Sequence, residues 1–360
     1  MMTDRSKTVL SIRDLSNQRN GIYGIAIVLI CIFHLNNVLS EGVQIVSFIS
    51  RTASFFFDMF NIGVDIFLFM SGFGLFYSMR KDPNAVSFYT KRLLRIIPAY
   101  WTGLILFYTV TYICTSAVDV KTLIMKLFMI DFYVSGDQFL WYPVFIIVLY
   151  ALFPLYFKHA DTLNKKRIVF AAVLILCIAS HFLPGMEHSR FDMAKDRIPV
   201  FILGTIIAQK GFEDQKSVLV RGLTPKHILA AGIMILVFLD VLILYIENYY
   251  LKPYDFLYLI YLPLSCLLLI VFTLILKAGR IRTVKTVIGK TGGLSYEIYI
   301  GHESVLAVMK QYMSIENKAV FVLVFLIFTL IVTVMLAGIT KIVKNRKNLL
   351  AKQKKADKLY

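Results

Sequence analysis

The sequence predicts an all-α polytopic membrane protein of about ten transmembrane helices with both termini cytoplasmic, and three observations carry that prediction. Of 360 residues 58% are hydrophobic and only 17% are charged, with a mean hydropathy of +0.71. A soluble domain has about 45–50% apolar and about 25% charged residues. Apolar runs recur along the whole chain, with no internal repeat, low-complexity tract or soluble appendage that would mark a second fold. The segments between those runs alternate between rich and poor in Lys and Arg.

The apolar runs are 22–39, 55–78, 98–118, 139–157, 168–183, 198–209, 228–247, 254–276, 293–309 and 319–341. Most meet the ~20 residues that a helix rising 1.5 Å per residue needs to cross a ~30 Å hydrocarbon core. The sixth run reaches only about 18 Å. It is expected to be tilted, broken or re-entrant, sheltered among other helices where irregular backbone is tolerated. With the N-terminus inside, segments 1–21, 79–97, 158–167, 210–227, 277–292 and 341–360 hold 30 of the 39 basic residues, and the opposite loops hold 9. That asymmetry sets the orientation and supports an even number of spans. The chain then divides into a cytoplasmic segment 1–21, a transmembrane domain 22–341 and a basic cytoplasmic tail 342–360.

The net charge of +17 therefore calls for no nucleic-acid partner, because most of it lies on cytoplasmic loops and a tail that meet anionic lipid headgroups. The first 20 residues are polar and lack the apolar core and cleavage site of a signal peptide. Cys31, Cys114, Cys177 and Cys266 fall within apolar runs, too scattered for a metal site, and are read as packing residues. No metal is expected.

Ionisable side chains at membrane depth are costly and need a reason. They are His34, Asp65, Asp240, Glu297 and His302, with Asp58 and Glu303 close by. The first and ninth runs point the same way, which puts His34 ~18 Å and His302 ~14 Å from the cytoplasmic face. The two imidazoles thus share a depth, suited to one reaction centre, to a proton path, or simply to helix packing. Arg92 and Arg95 are three residues apart at the cytoplasmic start of the third run, so they share a helix face. Two guanidiniums there suit a multiply phosphorylated cytosolic ligand, although basic residues flank most spans for topological reasons.

Six segments, "YGIAIVLICIFH", "NIGVDIFLFMSGFGLF", "FYTKRLLRIIPAYW", "LWYPVFIIVLYALFP", "RIPVFILGTIIA" and "LSYEIYIGHESV", occur in the order and spacing of the acyltransferase family 3 integral membrane enzymes. The resemblance covers roughly residues 20 to 340. It implies about ten spans and transfer of acyl groups, commonly acetyl from acetyl-CoA, onto acceptors that are often sugars of surface polysaccharides. By position, the family's first-span histidine falls on His34 and its arginine pair on Arg92 and Arg95. Its second-span motif falls on Gly63, Val64, Asp65, Ser71, Gly72 and Phe73, and its late histidine motif on Tyr296, Tyr299 and His302. The chain departs from the pattern twice. Tyr23 stands where the family often has arginine, the nearest being Arg19, and no acid follows Trp141 in the fourth span. The second departure bears on the acceptor more than on the reaction.

The resemblance implies an enzyme with no bound cofactor that uses acyl-CoA as co-substrate. Its phosphates would meet Arg92 and Arg95, while Ser71, Trp141, Tyr299 and His302 would line the acceptor side. A hydroxyl attacking a thioester must lose its proton, and a histidine with pKa near the operating pH takes it for ~10²–10⁴-fold in rate. His34 has that role here, or else carries the acyl group itself, and Asp65 would orient it. The alternative from another class is a proton-coupled transporter or flippase with His34, Asp65 and His302 as relay. An inactive scaffold of the same fold is a third.

Overall fold

The computed structural model describes residues 10–41, 56–183, 191–214, 218–220, 232, 233, 235, 257–313 and 317–356. Helix dominates, as the period and length of the apolar runs require. In chain order the helices are α1 (Ile12–Asn17), α2 (Arg19–Leu39), α3 (Gly63–Lys81), α4 (Ala85–Thr115), α5 (Val120–Leu127), α6 (Asp131–Val134) and α7 (Trp141–His159). They continue as α8 (Leu163–Ser180), α9 (Asp192–Lys195), α10 (Ile198–Glu213), α11 (Leu257–Ala278), α12 (Arg282–Gly293), α13 (Ser295–Tyr312) and α14 (Lys318–Ala356). A short antiparallel pairing joins β1 (Leu10–Ser11) to β2 (Val218–Val220).

Among the described residues six helices are long and apolar enough to cross a membrane: Arg19–Leu39, Phe56–Lys81, Ala85–Thr115, Trp141–His159, Tyr261–Ala278 and Lys318–Lys347. The fifth and ninth runs form α8 and α13. The seventh run lies almost wholly outside the described residues, and so does Asp240. Large apolar side chains on these helices stand more than half exposed, among them Ile105, Ile113, Leu152, Leu155, Leu323, Leu330 and Val334. Such faces suit a hydrocarbon solvent and not water.

The chain forms two compact units, one from residues 1–33, 42–81 and 153–293, the other from 34–41, 82–152 and 294–360. At the centre of the first, α3 packs along α10. A side chain at Gly72 would strike the carbonyl oxygen of Phe201, and one at Gly204 would strike that of Phe69. Only glycine at both positions lets the two backbones approach so closely. The sixth apolar run is thus a single unbroken helix, with Val200, Phe201, Ile202, Thr205 and Ala208 all buried.

In the second unit α4, α13 and α14 pack on one another. The start of α4 is pinned by Asn84, whose side chain accepts from the Ser87 amide at 2.9 Å. Asp82 accepts from Lys91 Nζ at 2.7 Å and from Ser87 Oγ at 2.6 Å. These bonds, the one from Lys91 first, hold the Asp82 carboxyl down at about 2. Helix α14 runs through position 342 without a break, so the basic tail begins as a continuation of the last helix.

Candidate active site

Helix α13 carries Tyr299, His302 and Glu303 in the second unit, together with His34 near the end of α2. The His34 and His302 rings lie 5.2 Å apart between centroids. Glu303 Oε1 is 2.5 Å from His34 Nδ1 and 4.0 Å from His302 Nε2. His302 is fully buried, and its Nδ1 lies 3.0 Å from the Ile298 carbonyl oxygen. That bond assigns the proton to Nδ1 and leaves Nε2 as an acceptor, with no hydrogen-bond partner among the described residues. The His34 and Glu303 side chains remain partly open, at 20% and 13% exposure. An imidazole anchored through Nδ1 by a carboxylate is held in the tautomer whose Nε2 accepts a proton, and its charged form is stabilised.

An aromatic chain leads away from this centre. Tyr299 stacks edge-on against His302 at 5.4 Å, Tyr142 lies 5.4 Å from Tyr299, and Trp141 lies 6.1 Å from Tyr142. Of the residues singled out by sequence, His34, Arg92, Arg95, Trp141, Tyr299 and His302 belong to the second unit, and Asp65 and Ser71 to the first.

One expectation about partners is corrected. The carboxylate on His34 belongs to Glu303, whereas Asp65 Oδ2 accepts from Arg197 Nε at 3.1 Å, with both side chains at most 1% exposed. Arg197 also donates to the Met193 carbonyl and lies over the Tyr258 ring. A buried carboxylate needs a cation, and Asp65 has found one. Both members of the arginine pair also have neighbours within the protein. Arg95 Nη1 donates to Glu297 Oε1 at 2.8 Å, and the Arg92 guanidinium lies over the rings of Phe88 and Tyr150.

The sequence places Glu303 near the centre without giving it a role. The available signal is its position directly after His302, since adjacent helix residues sit about 100° apart and both can border one cleft. Arg197 reads in the sequence as a loop charge because it stands at the edge of a short run.

Among the described residues two donor sets have metal-like spacing, namely His34, His302 and Glu303, and His181, Asp192 and Asp196. In the second set Lys195 Nζ lies 2.9 Å from both Asp192 Oδ1 and Asp196 Oδ1 and 3.3 Å from His181 Nε2, so its ammonium fills the place of a cation. In the first, a metal would have to displace the His34–Glu303 hydrogen bond.

A family model described as an acyltransferase domain, Acyl_transf_3, matches residues 20–338. The chain belongs to the acyltransferase family 3. The match spans α2 through most of α14 and takes in His34, Arg92, Arg95, His302 and Glu303. Neither a curated protein nor a solved structure matches the chain significantly. The family and the apolar helices together make it a membrane acyltransferase.

Proposed function

We propose that the protein transfers an acyl group, acetyl in the first instance, from acyl-CoA to a hydroxyl of a cell-envelope carbohydrate or glycolipid. The observation that carries this reading is the 2.5 Å contact of Glu303 with His34 Nδ1. In the proposed reaction His34 takes the proton from the acceptor hydroxyl as its oxygen attacks the thioester carbonyl. The tetrahedral intermediate then expels the CoA thiolate, which recovers the proton from the imidazolium. Glu303 stabilises that imidazolium, and no charge has to leave the site between the two steps. His302, Tyr299 and Trp141 line the acceptor side. Arg92 and Arg95 face the CoA phosphates, with Glu297 holding Arg95 in one orientation.

In this reading the protein is a multi-pass protein of the cell membrane with ten spans. Both termini are cytoplasmic and the basic tail lies against anionic lipid. The 30 to 9 division of basic residues supports that topology. Mass spectrometry of envelope glycans from cells with and without the protein tests donor and acceptor together. An acetyl increment that disappears on deletion and returns with the parent gene, but not with His34→Gln, is expected. Identical glycan profiles in all strains would discard the reading.

A further inference from the structure

The first unit contains a pocket that the transfer reaction does not use. It encloses about 130 Å³, several times the space one water needs. The walls are Phe76, Phe157 and Phe212, with the Phe76 ring 5.7 Å from that of Phe157 and 6.0 Å from that of Phe212. Four charged side chains line it, Arg80, Lys166, Asp161 and Glu213.

Those charges are not paired with one another. Asp161 Oδ1 is taken by Lys165 Nζ at 2.8 Å, and Glu213 Oε1 accepts from Gln209 Nε2 at 2.6 Å. No carboxylate among the described residues lies within ion-pair distance of Arg80 or Lys166. The Arg80 guanidinium lies 4.4 Å over the Phe212 ring. Lys166 is 1% exposed, donates to the Ala160 carbonyl, and faces the rings of Phe76, Tyr156 and Phe157. Burial pushes its ammonium down to about 8, against the pull of Asp161 and Glu213. A desolvated ammonium of this kind gains most from an anion. Gln209, 4% exposed, donates its amide hydrogens to Glu213 and the Asp161 carbonyl, and its Oε1 has no donor among the described residues.

We propose that this pocket binds a phosphate ester bearing a nearby hydroxyl or amino group. Arg80 and Lys166 hold the phosphate oxygens, the three phenyl rings receive the organic part, and Gln209 Oε1 accepts from the hydroxyl or amine. Guanidinium and ammonium together suit an anion with several acceptor oxygens, and the orphaned amide oxygen selects against a purely hydrocarbon ligand. A soluble nucleotide and an anionic glycerophospholipid headgroup share this chemistry. Both have access if the segments carrying Arg80 and Lys166 are cytoplasmic, as their basic residues indicate. The proposal stands apart from acyl transfer, which is tested on His34.

The test uses the full-length protein purified in detergent and in nanodiscs. Calorimetry with inorganic phosphate and with adenosine bisphosphate reads the soluble source, and native mass spectrometry after exchange into phosphatidylglycerol nanodiscs reads the lipid source. Saturable binding of one probe is expected, weakened about 10-fold or more in Arg80→Gln and in Lys166→Gln, with Arg80→Lys intermediate. Nucleotide binding that displaces retained phosphatidylglycerol assigns the soluble source. Lipid retention without nucleotide binding assigns the headgroup. Absence of saturable binding of any of these probes overturns the proposal, and so does binding unchanged in Arg80→Gln. Arg80 is an exposed side chain, so that variant folds even if the buried Lys166→Gln does not.

Discussion

Glu303 and His34 meet at 2.5 Å with His302 beside them, and each of the three makes a separable prediction. His34→Gln keeps the polarity but loses proton acceptance near neutral pH, and acyl transfer should fall by ~10²–10⁴-fold with membrane insertion intact. Glu303→Gln keeps the shape but not the charge that stabilises the imidazolium, and should also cost roughly 10²-fold or more. His302→Ala should be milder, acting on the acceptor. Transfer assays on membranes with equal amounts of inserted protein check all three, and a Glu303→Gln variant near parental activity would return the carboxylate to a packing role. The Asp65–Arg197 pair makes a stability prediction. Arg197→Met strands a buried carboxylate and should cost about 3–5 kcal/mol, while the double change Asp65→Leu with Arg197→Met should recover much of that loss. Thermal unfolding in detergent reads the difference, and equal losses in single and double variants would contradict it. The carboxylate of Asp65 was legible as a buried charge in need of a partner. Its choice of Arg197 over His34 was not, because the two lie 132 residues apart. A pairing over that distance follows from the packing of α3 on α10 and from no local pattern in the chain.

At the scale of elements, the contact of α3 with α10 depends on two glycines. Gly204→Ala places a methyl group against the Phe69 backbone, and Gly72→Ala against that of Phe201. Neither neighbour is a flexible side chain that can turn away, so each variant should lose about 1–3 kcal/mol. The midpoint of thermal unfolding in detergent measures the loss, and an unchanged midpoint would mean that the helices lie farther apart. About three turns into α4, Arg95→Lys keeps the charge and the orientation signal but loses the planar fork that Glu297 holds. Acyl-CoA affinity should fall roughly 10-fold or more. Binding to purified protein across a salt series checks this, and a Lys variant that binds as tightly as the parent would remove Arg95 from the donor site. The helices themselves were legible from the length of their apolar runs. The sixth run was legible only as an exception to that length, because its burial depends on the two glycines that admit it to α3.

For the whole molecule, the basic-residue asymmetry predicts that both termini face the cytoplasm. Reporter fusions at each end, active only on one side of the membrane, should both report the cytosolic side, and opposite sides would require an odd number of spans. The apolar faces of α4, α7 and α14 fit the same picture, since a bilayer is the solvent in which their exposure carries no penalty. By itself the sequence determined the membrane class, the helical content and the family resemblance. Composition and period are properties of the chain read in order, and hydrocarbon leaves the backbone little choice but helix. Only the tertiary structure decided which charges meet: Glu303 with His34, Arg197 with Asp65, and Glu297 with Arg95. Each of these pairs joins residues far apart in the chain, and a buried charge takes whichever partner helix packing brings within a few ångströms.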